Sequence, residues 1–383
     1  MPLPAITKIH QPPMTTTNFT SREMSERLTR IRSKLQEEGL DGLICCDPAN
    51  VRYATGFKGE PRILIILPDE IILYTSIRTV AWAREHTKAI ADSLELSTVD
   101  SPIEDLARRL SKTSLDLAID QNITAASLST WREKLAPHSI NPRSIVEQVR
   151  QIKSPAEIAL MQKSQQLNES VLGAVLPKIR PHMTERGVQG LILAEMARNE
   201  WIDGFSFEPI VAVGPNCWEI HHLSDDTVIG TDQMLLIDLG VRYQGYASDM
   251  TRTLCLGQAS PKMRDIHHLV SHALESAISA ATAGITNREL DQIAREIISD
   301  AGFGKTFTHG LGHHIGLETH DPAPPLSAKA PEIILAPGMA LTIEPGIYLE
   351  NQFGVRTEDI VIITDSAPVN LTRPSHQLLK IPV

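Results

Sequence analysis

The stretch LLIDLGVRYQGYASDMTRT, residues 235–253, reads as two strands joined by a turn. Apolar Met234 to Ile237 predicts the first strand and Tyr246 to Cys255 its return, with the turn at Tyr243–Gln244. Asp238 and Asp249 then stand symmetrically about the turn, directly opposite one another. Opposed residues of an antiparallel pair have Cβ atoms roughly 5 Å apart on one face, so the two carboxylates can share cations about 4 Å apart.

A second hairpin repeats the arrangement. Glu344 in LTIEPGIY (341–348) and Glu358 in GVRTED (354–359) flank a polar stretch with its midpoint at Asn351. Pro345–Gly346 interrupts that ladder and makes its register approximate. Between the hairpins, THGLGHHIGLETHD (308–321) offers His313 as a fifth donor. An acid beside a turn is by itself ordinary turn chemistry. Asp238, Asp249, His313, Glu344 and Glu358 together form a hard, oxygen-rich set that suits a pair of divalent ions better than one thiolate-bound zinc.

On these segments, with GPNCWEIHH (214–222), residues 153–383 resemble the metallopeptidase family that contains prolidase, aminopeptidase P and methionine aminopeptidase. The family's Asp, Asp, His, Glu, Glu ligand series falls on the five residues named, without substitution. The resemblance implies the pseudo-symmetric pita-bread fold and two divalent ions per chain, Mn²⁺ first and Co²⁺ or Zn²⁺ as alternatives. It implies hydrolysis of Xaa-Pro peptide bonds by metal-bridged hydroxide attack, with Glu344 as general base. His221 and His320 take the places of two non-ligand histidines that stabilise the oxyanion or protonate the departing nitrogen, and Arg356 that of an arginine beside the last ligand. Glu219–Ile220 stand before His221 where the family often has proline and a small residue, which concerns the wall of the substrate pocket.

The preceding α/β segment, which methionine aminopeptidases generally lack, points to the prolidase and aminopeptidase P branch and, by analogy, to a homodimer acting on proline-containing di- or oligopeptides. Dipeptidase and aminopeptidase activity both remain open. So does metal-dependent C–N hydrolysis or lysis of a non-peptide small molecule on the same scaffold. A peptide-binding module without activity is the more distant alternative, since such modules have typically lost ligands.

Three parts are expected: a loosely ordered tail over residues 1–20, a small α/β domain over 21–152, and the catalytic domain over 153–383. In the middle part Met24, Leu28, Ile31 and Leu35 mark one face of a helix closed by Gly39. Strands are expected at 43–46, 63–67, 71–74 and 115–119, helices at 79–86, 103–111 and 127–135, and a turn at DPAN (47–50). Ser154, Pro155 and Glu157 spell a capping box that opens the next domain. Thr184 and Thr286 open two further helices in similar contexts, which fits an internal duplication or simply the common look of capped helices; the resemblance implies the duplication.

With 383 residues, 42% hydrophobic and a net charge of −10, the chain is too long for one ordinary domain and too acidic for a nucleic-acid partner. No apolar run is long enough to span a membrane and the start has no secretory pattern, so a cytoplasmic location is expected. Cys45, Cys46, Cys217 and Cys255 form no disulfide or zinc pattern, and Cys217 lacks an oriented acid for a nucleophile's role. His222, His267, His268 and His314 read as structural. His309 reads either as a support for His313 or as a polar loop residue.

Overall fold

A computed structural model describes residues 19–60, 62–112, 114–373 and 376–381. The loosely ordered tail expected over residues 1–20 lies outside the described residues except for Phe19 and Thr20. Two compact units divide in the chain between Val146 and Glu147. Among the described residues no helix is long and apolar enough to cross a membrane.

In the first unit α1 (Ser21–Glu37) forms where Thr20 accepts from the Glu23 amide. Met24, Leu28, Ile31 and Leu35 recur at spacings of four and three and are all buried. Each such side chain contributes roughly 1.5–3 kcal/mol on leaving water. Gly39 follows at φ 68°, the left-handed conformation expected just past a helix end. DPAN is not a free turn: Asp47 accepts from the Ala49 and Asn50 amides and starts α2 (Pro48–Thr55), with Pro48 in the first turn where its missing N–H costs nothing.

Strands β1 (Gly42–Cys45), β2 (Ile63–Ile66), β3 (Ile71–Tyr74), β4 (Glu95–Ser97), β5 (Asp116–Asp120) and β6 (Ser139–Arg143) make one mixed sheet in the order β4-β3-β2-β1-β5-β6. Helices α3 (Val80–His86), α4 (Pro102–Arg109) and α5 (Ala125–Lys134) join its strands. One core holds Ile44, Ile65 and Ile119 of the sheet with Leu106 of α4 and Trp131 of α5. The short strands β4 and β6 and helix α6 (Ile145–Gln151) have no counterpart in the sequence reading.

The second unit is built twice over. Its first half runs α7 (Pro155–Val175), α8 (Glu185–Arg198), β7 (Gly204–Phe205), β8 (Ile210–Val213), β9 (Gln233–Leu239), β10 (Val241–Tyr243), β11 (Tyr246–Ala247) and β12 (Met250–Leu256). Its second half runs α9 (Pro261–Ala280), α10 (Asn287–Asp300), β13 (Ala340–Ile343), β14 (Gly346–Leu349), β15 (Phe353–Arg356), β16 (Asp359–Ile362), β17 (Val369–Asn370) and β18 (Lys380–Ile381).

The Ser154–Glu157 capping box is present in full, and Thr184 and Thr286 cap α8 and α10. Each of these two caps bridges a later strand-like residue, Thr184 to Val228 and Thr286 to Ile334. The first residue of each helix repeats the match, the Glu185 amide donating to the Thr227 carbonyl and the Asn287 amide to that of Ile333. After each helix comes a hairpin with two acids. The sheets β18-β12-β9-β8 and β13-β16-β17 close around a core in which Val270 and Leu274 of α9, Leu290 and Ala294 of α10, and Leu341 and Val361 are buried together.

Candidate active site

The turn of the first hairpin is centred one residue later than expected, which shifts the pairing opposite Asp238 by two residues. Gln244 and Gly245 both take positive φ, 48° and 85°, which makes them the two central residues of a primed turn. Tyr243 therefore pairs with Tyr246, Leu239 with Met250, and Asp238 with Thr251. Asp249 lies two residues before Thr251 on the same strand face, so the two aspartates are diagonal neighbours. Thr251 fills the opposed position and joins the hairpins: its hydroxyl donates to Glu358 Oε2 at 2.7 Å and accepts from Arg356 Nε at 3.0 Å.

The second hairpin keeps the register read from the sequence. Ile343 pairs with Asp359 and Gly346 with Arg356, which sets Glu344 level with Glu358 about a midpoint at Asn351. Asn351 takes φ 57° at the tip. His313 enters from a segment alongside β13, its amide donating to Thr342 Oγ1 at 3.0 Å and its carbonyl accepting from the Thr342 amide at 2.9 Å. Gly312 permits this approach, because a Cβ there would overlap the Thr342 carbonyl.

These elements converge. Ligand atoms of Asp249, His313 and Glu358 all lie within 4.8 Å of one another. His313 Nε2 is 3.7 Å from Asp249 Oδ2 and 3.5 Å from Glu344 Oε1. His313 Nδ1 lies 3.1 Å from the His314 carbonyl, which only accepts, so the proton sits on Nδ1 and the Nε2 lone pair faces the acids. Burial, with His320 nearby, pushes the His313 imidazole down to about 3 and keeps it neutral.

The acids are pushed the other way. Burial raises Asp249 well above the usual carboxylate range, and Asp238 and Glu344 raise it further. Burial followed by Asp249 does the same to Glu358. Glu344 rises to about 7 through burial, against the pull of Arg356. Arg356, fully buried, donates to Asp238 Oδ2 at 2.6 Å. Asp238 Oδ1 is buried with no hydrogen-bond partner among the described residues. Four carboxylates around one guanidinium, an orphaned oxygen and a neutral imidazole fit a pair of divalent cations, which supply the missing positive charge and take up the free lone pairs.

The five donors line a cavity of about 910 Å³ shared by His221, His309, His320 and Arg356, with Phe207, Ile210, Ile220 and Leu223 as apolar wall. The His320 ring stacks on that of His313 at 3.8 Å between centroids. Burial and His221 lower its pKa.

Among the described residues His309 hydrogen-bonds to neither the acids nor His313. Its Nδ1 donates to the Gly310 carbonyl at 2.7 Å, leaving Nε2 to accept from the Tyr348 hydroxyl at 2.8 Å. Tyr348 in turn accepts from Arg356 Nη1 at 3.1 Å. Neither Tyr348 nor Thr251 was singled out from the sequence, although EPGIY already contained the tyrosine. His222 is structural: with Val213, Asn216 and Asp225 it saturates the buried Glu185 carboxylate. Cys217 is buried, its thiol donates to the Ala212 carbonyl, and burial pushes it up to about 12, unsuited to a nucleophile.

Residues 159–365 match the model of metallopeptidase family M24, and residues 27–152 that of the creatinase/prolidase N-terminal domain. The chain is 32% identical over 358 residues to the Xaa-Pro dipeptidase of Pyrococcus furiosus, covering 93% of this chain and 100% of the relative. It is 30% identical over 370 residues to the Xaa-Pro dipeptidase of Lactobacillus delbrueckii, covering 93% and 99%. Among solved structures, the Xaa-Pro dipeptidase from Bacillus anthracis superposes with a TM-score of 0.87 at 30% identity, covering 93% of this chain and 99% of that one. The X-Pro aminopeptidase from Thermotoga maritima gives 0.83 at 27%, covering 91% and 100%. With the family model spanning more than half of it and these relatives matching nearly end to end, the chain belongs to metallopeptidase family M24.

Proposed function

We propose that this metallopeptidase hydrolyses Xaa-Pro peptide bonds, with Xaa-Pro dipeptides as first substrates. The observation that carries the proposal is that Asp238, Asp249, His313, Glu344 and Glu358 line one apolar-walled cavity, with ligand atoms of Asp249, His313 and Glu358 within 4.8 Å of one another. The relatives named Xaa-Pro dipeptidase support the choice of bond.

In this reading Asp238, Asp249, His313, Glu344 and Glu358 would hold two divalent ions, Mn²⁺ before Co²⁺ or Zn²⁺. The ions supply Lewis acidity that brings a water's pKa towards neutrality and polarises the scissile carbonyl. Glu344, which lines the same cavity as the other four donors, accepts the water's proton. His221 and His320, on the cavity wall, donate to the developing oxyanion and to the departing proline nitrogen. Arg356 fixes Asp238 in place and offsets part of the acids' repulsion. Residues 21–152 and 153–383 act as the accessory and catalytic domains of a cytoplasmic homodimer.

A panel of Ala-Pro, Gly-Pro, Ala-Pro-Ala and Ala-Ala-Ala assayed with Mn²⁺ tests the proposal. Turnover is expected on Ala-Pro and Gly-Pro, weaker turnover on Ala-Pro-Ala and none on Ala-Ala-Ala. Efficient cleavage of Ala-Ala-Ala with all proline peptides untouched would overturn the specificity.

A further inference from the structure

The His320 ring makes no hydrogen bond among the described residues. Its place is set by the stack on His313 and by its own backbone. That backbone is folded around the next side chain. Asp321, buried, accepts at Oδ1 from Arg150 Nη2 at 2.6 Å and from the Glu318 amide at 3.1 Å, and at Oδ2 from Lys153 Nζ at 3.0 Å.

The Asp321 amide closes the neck of the loop on the His314 carbonyl at 2.9 Å. Gly316 sits inside, where a Cβ would overlap the Asp321 carboxylate. The outer strand of the loop is held by Arg242, which donates to the Leu317 carbonyl at 2.6 Å, and by Thr319, which donates to the Ser206 carbonyl at 3.1 Å. Arg150 and Lys153 are themselves buried, and Arg150 also reaches Glu318 Oε2 at 2.8 Å. An ion pair this buried is a weak source of net stability, because desolvating its charges offsets most of their attraction. Such a pair is better suited to fixing one arrangement of the loop than to holding the fold together.

We propose that Asp321, clamped by Arg150 and Lys153, is a positioning residue that sets the His320 imidazole over His313 and towards substrate. The inference rests on the part in catalysis given to His320 above. It adds that the part depends on a carboxylate whose hydrogen bonds go to Arg150, Lys153 and the Glu318 amide and to none of the five donors. Losing the clamp lets the loop shift by an ångström or so, and misplacement on that scale costs up to about 100-fold in rate.

The test is a double-mutant cycle on Ala-Pro hydrolysis in the Mn²⁺-loaded protein, with metal content measured for every variant. Asp321→Asn keeps the size of the side chain and should lower kcat about 10- to 100-fold, with KM within about 3-fold and two ions retained. Lys153→Met, which leaves Arg150 on the carboxylate, should act in the same direction by a smaller factor and carries the test if Asp321→Asn does not fold. In a His320→Ala background either substitution should cost less than about 2-fold more, because the group it positions is gone. The same loss in both backgrounds would overturn the positioning role. Unimpaired turnover in His320→Ala alone would instead remove the catalytic part of His320, and the positioning role with it.

Discussion

Asp238 faces Thr251 across the first hairpin, and the Thr251 hydroxyl is hydrogen-bonded to both Glu358 and Arg356. One neutral side chain thus ties an acid of the second hairpin to the first. Thr251→Val keeps the shape, removes the hydroxyl and leaves the buried Arg356 Nε unpaired, a cost of about 1–3 kcal/mol. Mn²⁺ activation should move to about 10- to 100-fold higher metal concentration, the usual effect of losing a group that orients a ligand. An unchanged activation curve would show that the hydroxyl does not orient Glu358.

Tyr348 links Arg356 to His309. Tyr348→Phe should leave both metals bound yet lower kcat by about 10- to 100-fold, since one buried hydrogen bond to a charged group contributes about 1.5–3 kcal/mol. Metal analysis alongside steady-state kinetics checks this, and wild-type turnover would make the link idle.

Two groups predict opposite responses to pH. Glu344 is raised from 4.5 to about 7, so in the metal-free protein its contribution to stability is present below pH 4.5 and lost as pH rises through 7. Metal-chelated protein should melt at a lower temperature at pH 8 than at pH 5, and Mn²⁺ should restore more at pH 8. Asp321 is lowered from 3.8 to about 2: burial pushes it up, and Lys153 and Arg150 more than reverse that. Its contribution is present above pH 3.8 and lost as pH falls towards 2. Thermal melts of wild type and Asp321→Asn between pH 5 and 2 should converge as the pH falls.

Gly312 lies against the Thr342 carbonyl, a backbone atom that cannot swing aside. Gly312→Ala should therefore push His313 away from β13 and lower metal content together with the melting temperature. A variant with wild-type metal content would show that the strand-like segment has slack.

Much of the architecture is local in origin and was legible for that reason. The Ser154 capping box, the buried face of α1 and the midpoint at Asn351 each depend on neighbours in sequence. The first hairpin misleads because its primed turn uses Gln244 where asparagine or aspartate would announce it, and moving the turn centre by one residue puts Thr251 rather than Asp249 opposite Asp238. Asp47–Pro48 reads as a turn, and the same pair starts a helix. The five candidate donors are visible in the sequence because their residue types recur in short contexts that resemble those of a known family, whereas each acid alone reads as turn chemistry. Thr251, Tyr348 and the Arg150–Lys153–Asp321 clamp are not, since a threonine or a tyrosine gains its meaning only from a partner more than a hundred residues away or across a ladder.

The most direct test is the metal content of three proteins, measured with Ala-Pro turnover. Wild type should hold two ions per chain, Asp249→Ala should lose metal together with activity, and His320→Ala should keep both ions while kcat falls about 10²- to 10³-fold. Full metal content and normal turnover in Asp249→Ala would contradict the dinuclear centre.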